Sequence, residues 1–116
     1  MATAVRQNLD IALIDEIAEA FALSRTELAG LFGMRRQAID RWRAHGIPGA
    51  RQEKAAAIAA IADLLHHHLK DERIPGIARR PAEAYDGLTM LEMIAADRHL
   101  ELLDSVRESF DFSRAA

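Results

Sequence analysis

The chain has 116 residues and no cysteine, which excludes a disulfide frame and any thiolate metal site and fits a reducing, cytoplasmic setting. Half of the residues are hydrophobic but only 5% are aromatic, so the core must be built from aliphatic residues and alanine, which favours helix packed on helix. The net charge of −3 argues against a uniformly nucleic-acid-coated surface. No apolar run reaches the ~18 residues of a membrane span, and the start lacks the basic-then-apolar pattern of a signal peptide.

Taken in chain order, Met1 to Gln7 reads as a frayed tail. Residues 9–23 form an amphipathic pattern. Leu13, Ile14, Ile17, Ala18 and Phe21 lie inward, Asp15, Glu16 and Glu19 face water, and Asn8 or Asp10 serves as the cap.

Residues 24–46 are the centre of the reading. Ser24 with Glu27 three residues on makes a capping box, and Leu28, Leu31 and Phe32 recur at helical spacing. Gly33 breaks the run and suits a left-handed turn. A second periodic run turns Ile39 and Trp42 inward, Gly46 stops it and Pro48 forbids continuation. Small Ala29, Gly33 and β-branched Ile39 stand where a helix-turn-helix needs a close crossing, a tight turn and a medium apolar core residue.

The charge distribution supports that centre. Residues 1–34 carry two arginines against five acids. Residues 35–54 carry five arginines and one lysine against two acids, and residues 71–116 carry six arginines against ten acids. The one basic block thus coincides with the second helix of the pair and the turn after it. On that helix Arg35, Arg36, Gln37, Asp40 and Arg41 point outward. Arg and Gln are suited to bidentate contacts with guanine and adenine edges, while Arg43, Arg51 and Lys54 would meet phosphates. A solvated face balanced by Asp40 is the plainer alternative. Trp42, at helical spacing from Ile39, belongs to the core.

Residues 51–70 read as a long alanine-rich helix with Ala57, Ile58, Ile61, Leu64, Leu65 and Leu69 on one broad apolar face. It is longer than a small N-terminal bundle can cover, so it reads as a connector, a dimer seam, or both. Consecutive His66, His67 and His68 project about 100° apart on a helix and cannot converge on one ion, so no metal site is expected. Residues 71–88, with Pro75, Pro81, Gly76 and Gly87, read as an ordered loop and as the boundary between two modules, 1–70 and 71–116. Thr89 with Glu92 caps a short helix, and a final helix follows from Asp97 or Arg98 with Leu100, Leu103, Val106 and Phe110 inward.

Two of the four phenylalanines stand in the last seven residues, beside Asp111, Ser113 and Arg114. Phe110 and Phe112 either fold back on the last helices or form a docking element for a partner, where aromatic and arginine anchors are favoured. No catalytic set is present: there is no glycine-rich phosphate loop or nucleophile motif, and the carboxylates scatter over helix surfaces. No cofactor is implied.

Read whole, the chain resembles the Xre-type antitoxins that carry an MbcA/ParS-like toxin-binding domain. The resemblance rests on the helix-turn-helix at 24–46 and the arginine pair before a proline (Arg79, Arg80, Pro81). It rests also on the run from Asp86 to Met93 and the run from Arg98 to Leu103. It departs from that pattern at Met90, where a proline is usual, near Asp97, where a glycine is usual, and in having no tryptophan before the early proline. The resemblance implies two helical modules, a homodimer, operator DNA as one partner and a NAD-consuming RES-domain toxin as the other. The toxin's active-site entrance would be covered by Phe110, Asp111, Phe112, Ser113 and Arg114, with Arg79 and Arg80 secondary. The expectation is therefore an all-α type II antitoxin that autoregulates its operon. The alternative is a helix-turn-helix regulator whose C-terminal part dimerises or senses a ligand, with no toxin partner.

Overall fold

Three long helices set the frame: α1 (Ala2–Phe21), α4 (Gly49–His68) and α7 (His99–Ala115). The computed structural model describes the backbone of residues 2–115 and the side chains of residues 5–111. Between the long helices lie two pairs of short ones, α2 (Arg25–Leu31) with α3 (Arg36–His45), and α5 (Ile74–Ala78) with α6 (Met90–Ala95). Short 3-10 turns at Asp71–Arg73 and Glu83–Tyr85 flank α5. The fold is all-α, with no strand among the described residues.

Each short pair acts as a crossover, so the long helices run parallel. Asp10, midway along α1, meets Gln52 in the first turn of α4, and Glu16 meets Asp63 further along both. Likewise Lys54 meets Asp97 just before α7, and His68 meets Phe110 near its other end. The long α4 is therefore sandwiched between α1 and α7. Its buried set, Ala55, Ala57, Ile58, Ala59, Ile61, Ala62 and Leu65, covers more than the one face expected, and the alanines permit close approach on both sides. One apolar core runs from Ile14, Ile17 and Phe21 through Ile58 and Ile61 to Ile74, Ile94, Leu102 and Val106, so residues 71–111 pack into the same core as residues 5–70.

Several local expectations change. Helix α1 starts at Ala2 rather than after a tail, and Gln7 donates a side-chain hydrogen bond to Arg43 O, 3.1 Å away at the end of α3. Asp10 is not a cap: it lies inside α1, 5% exposed, on the stripe of Ile14, Ile17 and Phe21. Leu100 is half exposed, and Leu102 takes the inward place because packing on α4 sets the phase of α7. The proline-containing stretch is ordered, as expected, but it carries the short helix α5 and buries Ile74, Ala78 and Tyr85.

Three helices end in the same way. After α1, α2 and α6 a residue enters the left-handed region, Ala22 (φ +53°), Gly33 (φ +67°) and Asp97 (φ +61°). In each case the next amide reaches back to an earlier carbonyl: Leu23 N to Ala18 O at 2.8 Å, Met34 N to Ala29 O at 3.0 Å, and Arg98 N to Met93 O at 2.9 Å. This is the Schellman closure that glycine suits best. Only the α2–α3 turn uses glycine.

Candidate nucleic-acid interface

Helix α2 begins with the complete capping box. Ser24 Oγ accepts from Glu27 N at 3.1 Å, and Glu27 Oε1 accepts from Ser24 N at 3.0 Å. Glu27 is held below the usual carboxylate range by the Ser24 backbone and hydroxyl hydrogen bonds, with Arg79 adding to them. Its inner side buries Leu28, Ala29 and Leu31, and the fully buried Ala29 is the small residue that lets α3 cross closely. Helix α3 buries Ala38, Ile39 and Trp42, with Trp42 edge-on to Phe32 at 5.0 Å between ring centres and 87° between planes. These are the core positions that the spacing required.

The outer side of α3 is a different surface. Arg35, Arg36, Gln37, Asp40 and Arg41 are all exposed. Arg35 occupies the cap position with extended backbone and no side-chain hydrogen bond to the first helical amides, so the partial positive end of α3 is open. Beside it a shallow concavity of about 470 Å³ is lined by Gly33, Met34, Arg35, Gln37, Ala38 and Arg41. Among the described residues no ion pair engages Arg35, Arg36 or Arg41.

The four other residues expected at a DNA surface are already in use. Asp40 pairs with Arg25 of α2, which removes the one negative charge from the outer face. Arg43 turns back, half buried, to Asp15 of α1. Arg51 donates to Phe32 O at 3.2 Å and lies 3.7 Å from Met34 Sδ, so it closes the C-terminal end of α2. Lys54 is 6% exposed, 2.7 Å from an Asp97 carboxylate oxygen and 5.5 Å from the centre of the Phe32 ring. Its ammonium is sheltered from the surface, which withdraws it from phosphate contact. What remains is a face with three unpaired arginines and one glutamine around an open helix end.

No family model, curated protein or solved structure matches the chain. Function is therefore argued from the side chains themselves.

At the far end, the residues expected to meet a protein partner divide. Arg79 is engaged inside the chain: Nη1 donates to Phe21 O at 2.7 Å and Pro75 O at 2.9 Å, and Nη2 to Ala22 O at 3.2 Å and Glu27 Oε2 at 3.5 Å. Phe110 folds back, stacked on His68 at 3.9 Å with 17° between ring planes. Arg80 and Asp111 are exposed. The side chains of Phe112, Ser113 and Arg114 lie outside the described residues. The histidine run does not gather: His66 Nδ1 sits 2.6 Å from Asp71 Oδ1, His67 meets His68 edge-on, and no metal-holding cluster occurs among the described residues.

Four groups with specific roles escape a linear reading. Asp10 Oδ2 accepts from Ile47 N at 2.8 Å and from Gln52 Nε2 at 3.3 Å, fixing the α3–α4 turn on α1. Glu16 is pushed up to about 7 by its hydrogen bond with Asp63, by burial and by the Asp63 charge, with the His66 charge opposing, so it keeps its proton well above the usual carboxylate range. Arg98 holds Asp86 at 2.7 Å and Glu101 at 2.8 Å, steadying the left-handed Asp86. Asp97 is held below the usual carboxylate range by the hydrogen bond from Lys54 and by its charge. One of the four had a signal: Asp10 stands on the apolar stripe of Ile14 and Ile17, and Lys54, the partner of Asp97, stands likewise with Ile58 and Ile61. A polar residue on an inward stripe implies a partner.

Proposed function

We propose that the protein binds duplex DNA through α3 and controls its own operon, and that it does so as the antitoxin of a RES-type, NAD-consuming toxin. The observation that supports DNA binding is the unpaired set of Arg35, Arg36 and Arg41 with Gln37 on the outer face of the second helix. The same helix buries Ala38, Ile39 and Trp42. The uncapped N-terminus of α3 suits a phosphate, which would set the register, while Gln37 and the arginines reach base edges in the major groove. Arg25 assists by neutralising Asp40.

The toxin half of the proposal rests on the resemblance. On this reading Arg80, Asp111 and the final residues cover the toxin's active-site entrance. The plainer regulator, without a toxin, gains from one observation: Arg79 and Phe110 already have partners within the chain.

Two experiments test the proposal. Selection of duplexes from a random pool by the purified protein is expected to enrich one sequence, and enrichment is expected to vanish when Arg35, Arg36 and Arg41 are changed to alanine. Co-expression with the neighbouring reading frames separates antitoxin from regulator. A toxic neighbour neutralised through complex formation supports the first, and its absence leaves the second.

A further inference from the structure

The first helix of the DNA-binding pair is held at both ends by groups that come from the other half of the chain. At its N-terminal end the guanidinium of Arg79 reaches four acceptors on three elements. These are Phe21 O and Ala22 O where α1 stops, Glu27 Oε2 inside the capping box of α2, and Pro75 O on its own α5. The junction needs such a tie. Ala22 has φ +53°, a conformation an alanine adopts only under constraint, and a guanidinium on its carbonyl and on that of Phe21 neutralises the exposed end of α1. At the C-terminal end, Phe32 carries the ammonium of Lys54 on one side and the edge of Trp42 on the other, and Asp97 of the α6–α7 turn holds that ammonium at 2.7 Å. Helix α6 itself packs on α2.

Apart from the local bond to Pro75, the Arg79 contacts lie 52 to 58 residues away in sequence, and Lys54 and Asp97 are 43 residues apart. They do not touch the face that carries Arg35, Arg36 and Arg41. They fix the angle of α2 against α1 and, through the Phe32–Trp42 contact, the seat of α3. We infer that Arg79 is a positioning residue for DNA binding: it locks the helix pair in its binding geometry from the C-terminal half, so an event in that half is transmitted to α3. The consequence for DNA rests on the function proposed above, and the lock itself does not.

The test uses full-length protein with Arg79→Gln and Arg79→Lys. Amide hydrogen exchange reads the lock without DNA. Arg79→Gln is expected to speed exchange at residues 20–33 and leave α7 unchanged, with Arg79→Lys in between. Binding is then measured on a duplex selected by the unaltered protein and on an unrelated duplex of equal length. Affinity for the selected duplex is expected to fall about tenfold. Affinity for the unrelated duplex and the slope against salt are expected to stay the same, because no phosphate contact is lost. Unchanged exchange at residues 20–33 overturns the lock. A salt slope shallower by about 0.9 overturns it too, because it makes Arg79 a phosphate contact instead. If the unaltered protein selects no duplex, the DNA reading fails while the exchange measurement still decides the lock.

Discussion

The outer face of α3 and the seams between packed helices use the same residue types for opposite ends. On α3, Arg35, Arg36 and Arg41 are exposed and have no ion pair among the described residues. In the seams, Arg43, Arg51, Lys54 and Arg79 each hold an acceptor from another element. An arginine committed to carbonyls at a helix end has little to offer a ligand, whereas one without an internal acceptor keeps all five donors for phosphate or a base edge. The basic block seen in the sequence is therefore two populations, and only the exposed one keeps its donors open to a ligand.

The sharpest way to break that division is at the seam that carries a buried acid. Asp10→Ala removes the acceptor of Ile47 N and of Gln52, and is expected to cost about 3 kcal/mol by leaving buried donors unpaired. Denaturant unfolding measures it, and a loss below about 1 kcal/mol would mean that water replaces the carboxylate. Gly46 belongs to the same seam. It has φ +93°, and a Cβ there would come within 3.0 Å of Asp10 Oδ2. Gly46→Ala is expected to cost about 2 kcal/mol, read in the same way.

Lys54 tests whether charge or stem matters. Its ammonium is paired with a carboxylate open to solvent and lies over the Phe32 ring, while the side chain as a whole is buried. Lys54→Ala is expected to lower stability by about 2 kcal/mol through lost packing, and Lys54→Met to change it by less than about 1 kcal/mol. Equal losses in both would show that the ion pair with Asp97 dominates.

How far the chain could be read beforehand follows the same division. The two capping boxes, Ser24 with Glu27 and Thr89 with Glu92, are local and were legible, and both form as the spacing requires. So were the turn at Gly33 and the inward Ile39 and Trp42. What escaped was set by contacts across the fold. Nothing within a few residues of Arg79 indicates that its acceptors lie on α1 and α2. Leu100 and Leu102 could exchange roles until packing on α4 fixed the phase of α7. The left-handed residue at Asp97 carries no glycine signal in the sequence: aspartate tolerates that backbone, and here its carboxylate also serves Lys54.

Smaller effects sharpen the seams further. Ala22→Gly keeps the Schellman closure and relieves the strain, so it is expected to stabilise by about 1 kcal/mol in thermal unfolding. The Glu16–Asp63 pair predicts a pH effect. Glu16 is raised from 4.5 to about 7, so the folded state holds more protons than the unfolded state between those values. Stability contributed by the Glu16 proton is fully present at the acid end and is lost as pH rises through about 7. Glu16→Gln is expected to flatten that decline, and an unchanged profile would place the proton elsewhere.

The central claim is that unpaired arginines on α3 make a DNA interface. Its most direct test is equilibrium binding to a selected duplex across a range of salt concentrations, for the unaltered protein and for the combined Arg35→Ala, Arg36→Ala, Arg41→Ala variant. Because these arginines are proposed to reach base edges, the variant is expected to unfold like the parent, to bind the selected duplex far more weakly and to lose its preference over an unrelated duplex, while its log–log salt slope falls by less than the about 2.7 that three lost phosphate contacts would give. Equal affinity and equal slope for the two proteins would contradict the account.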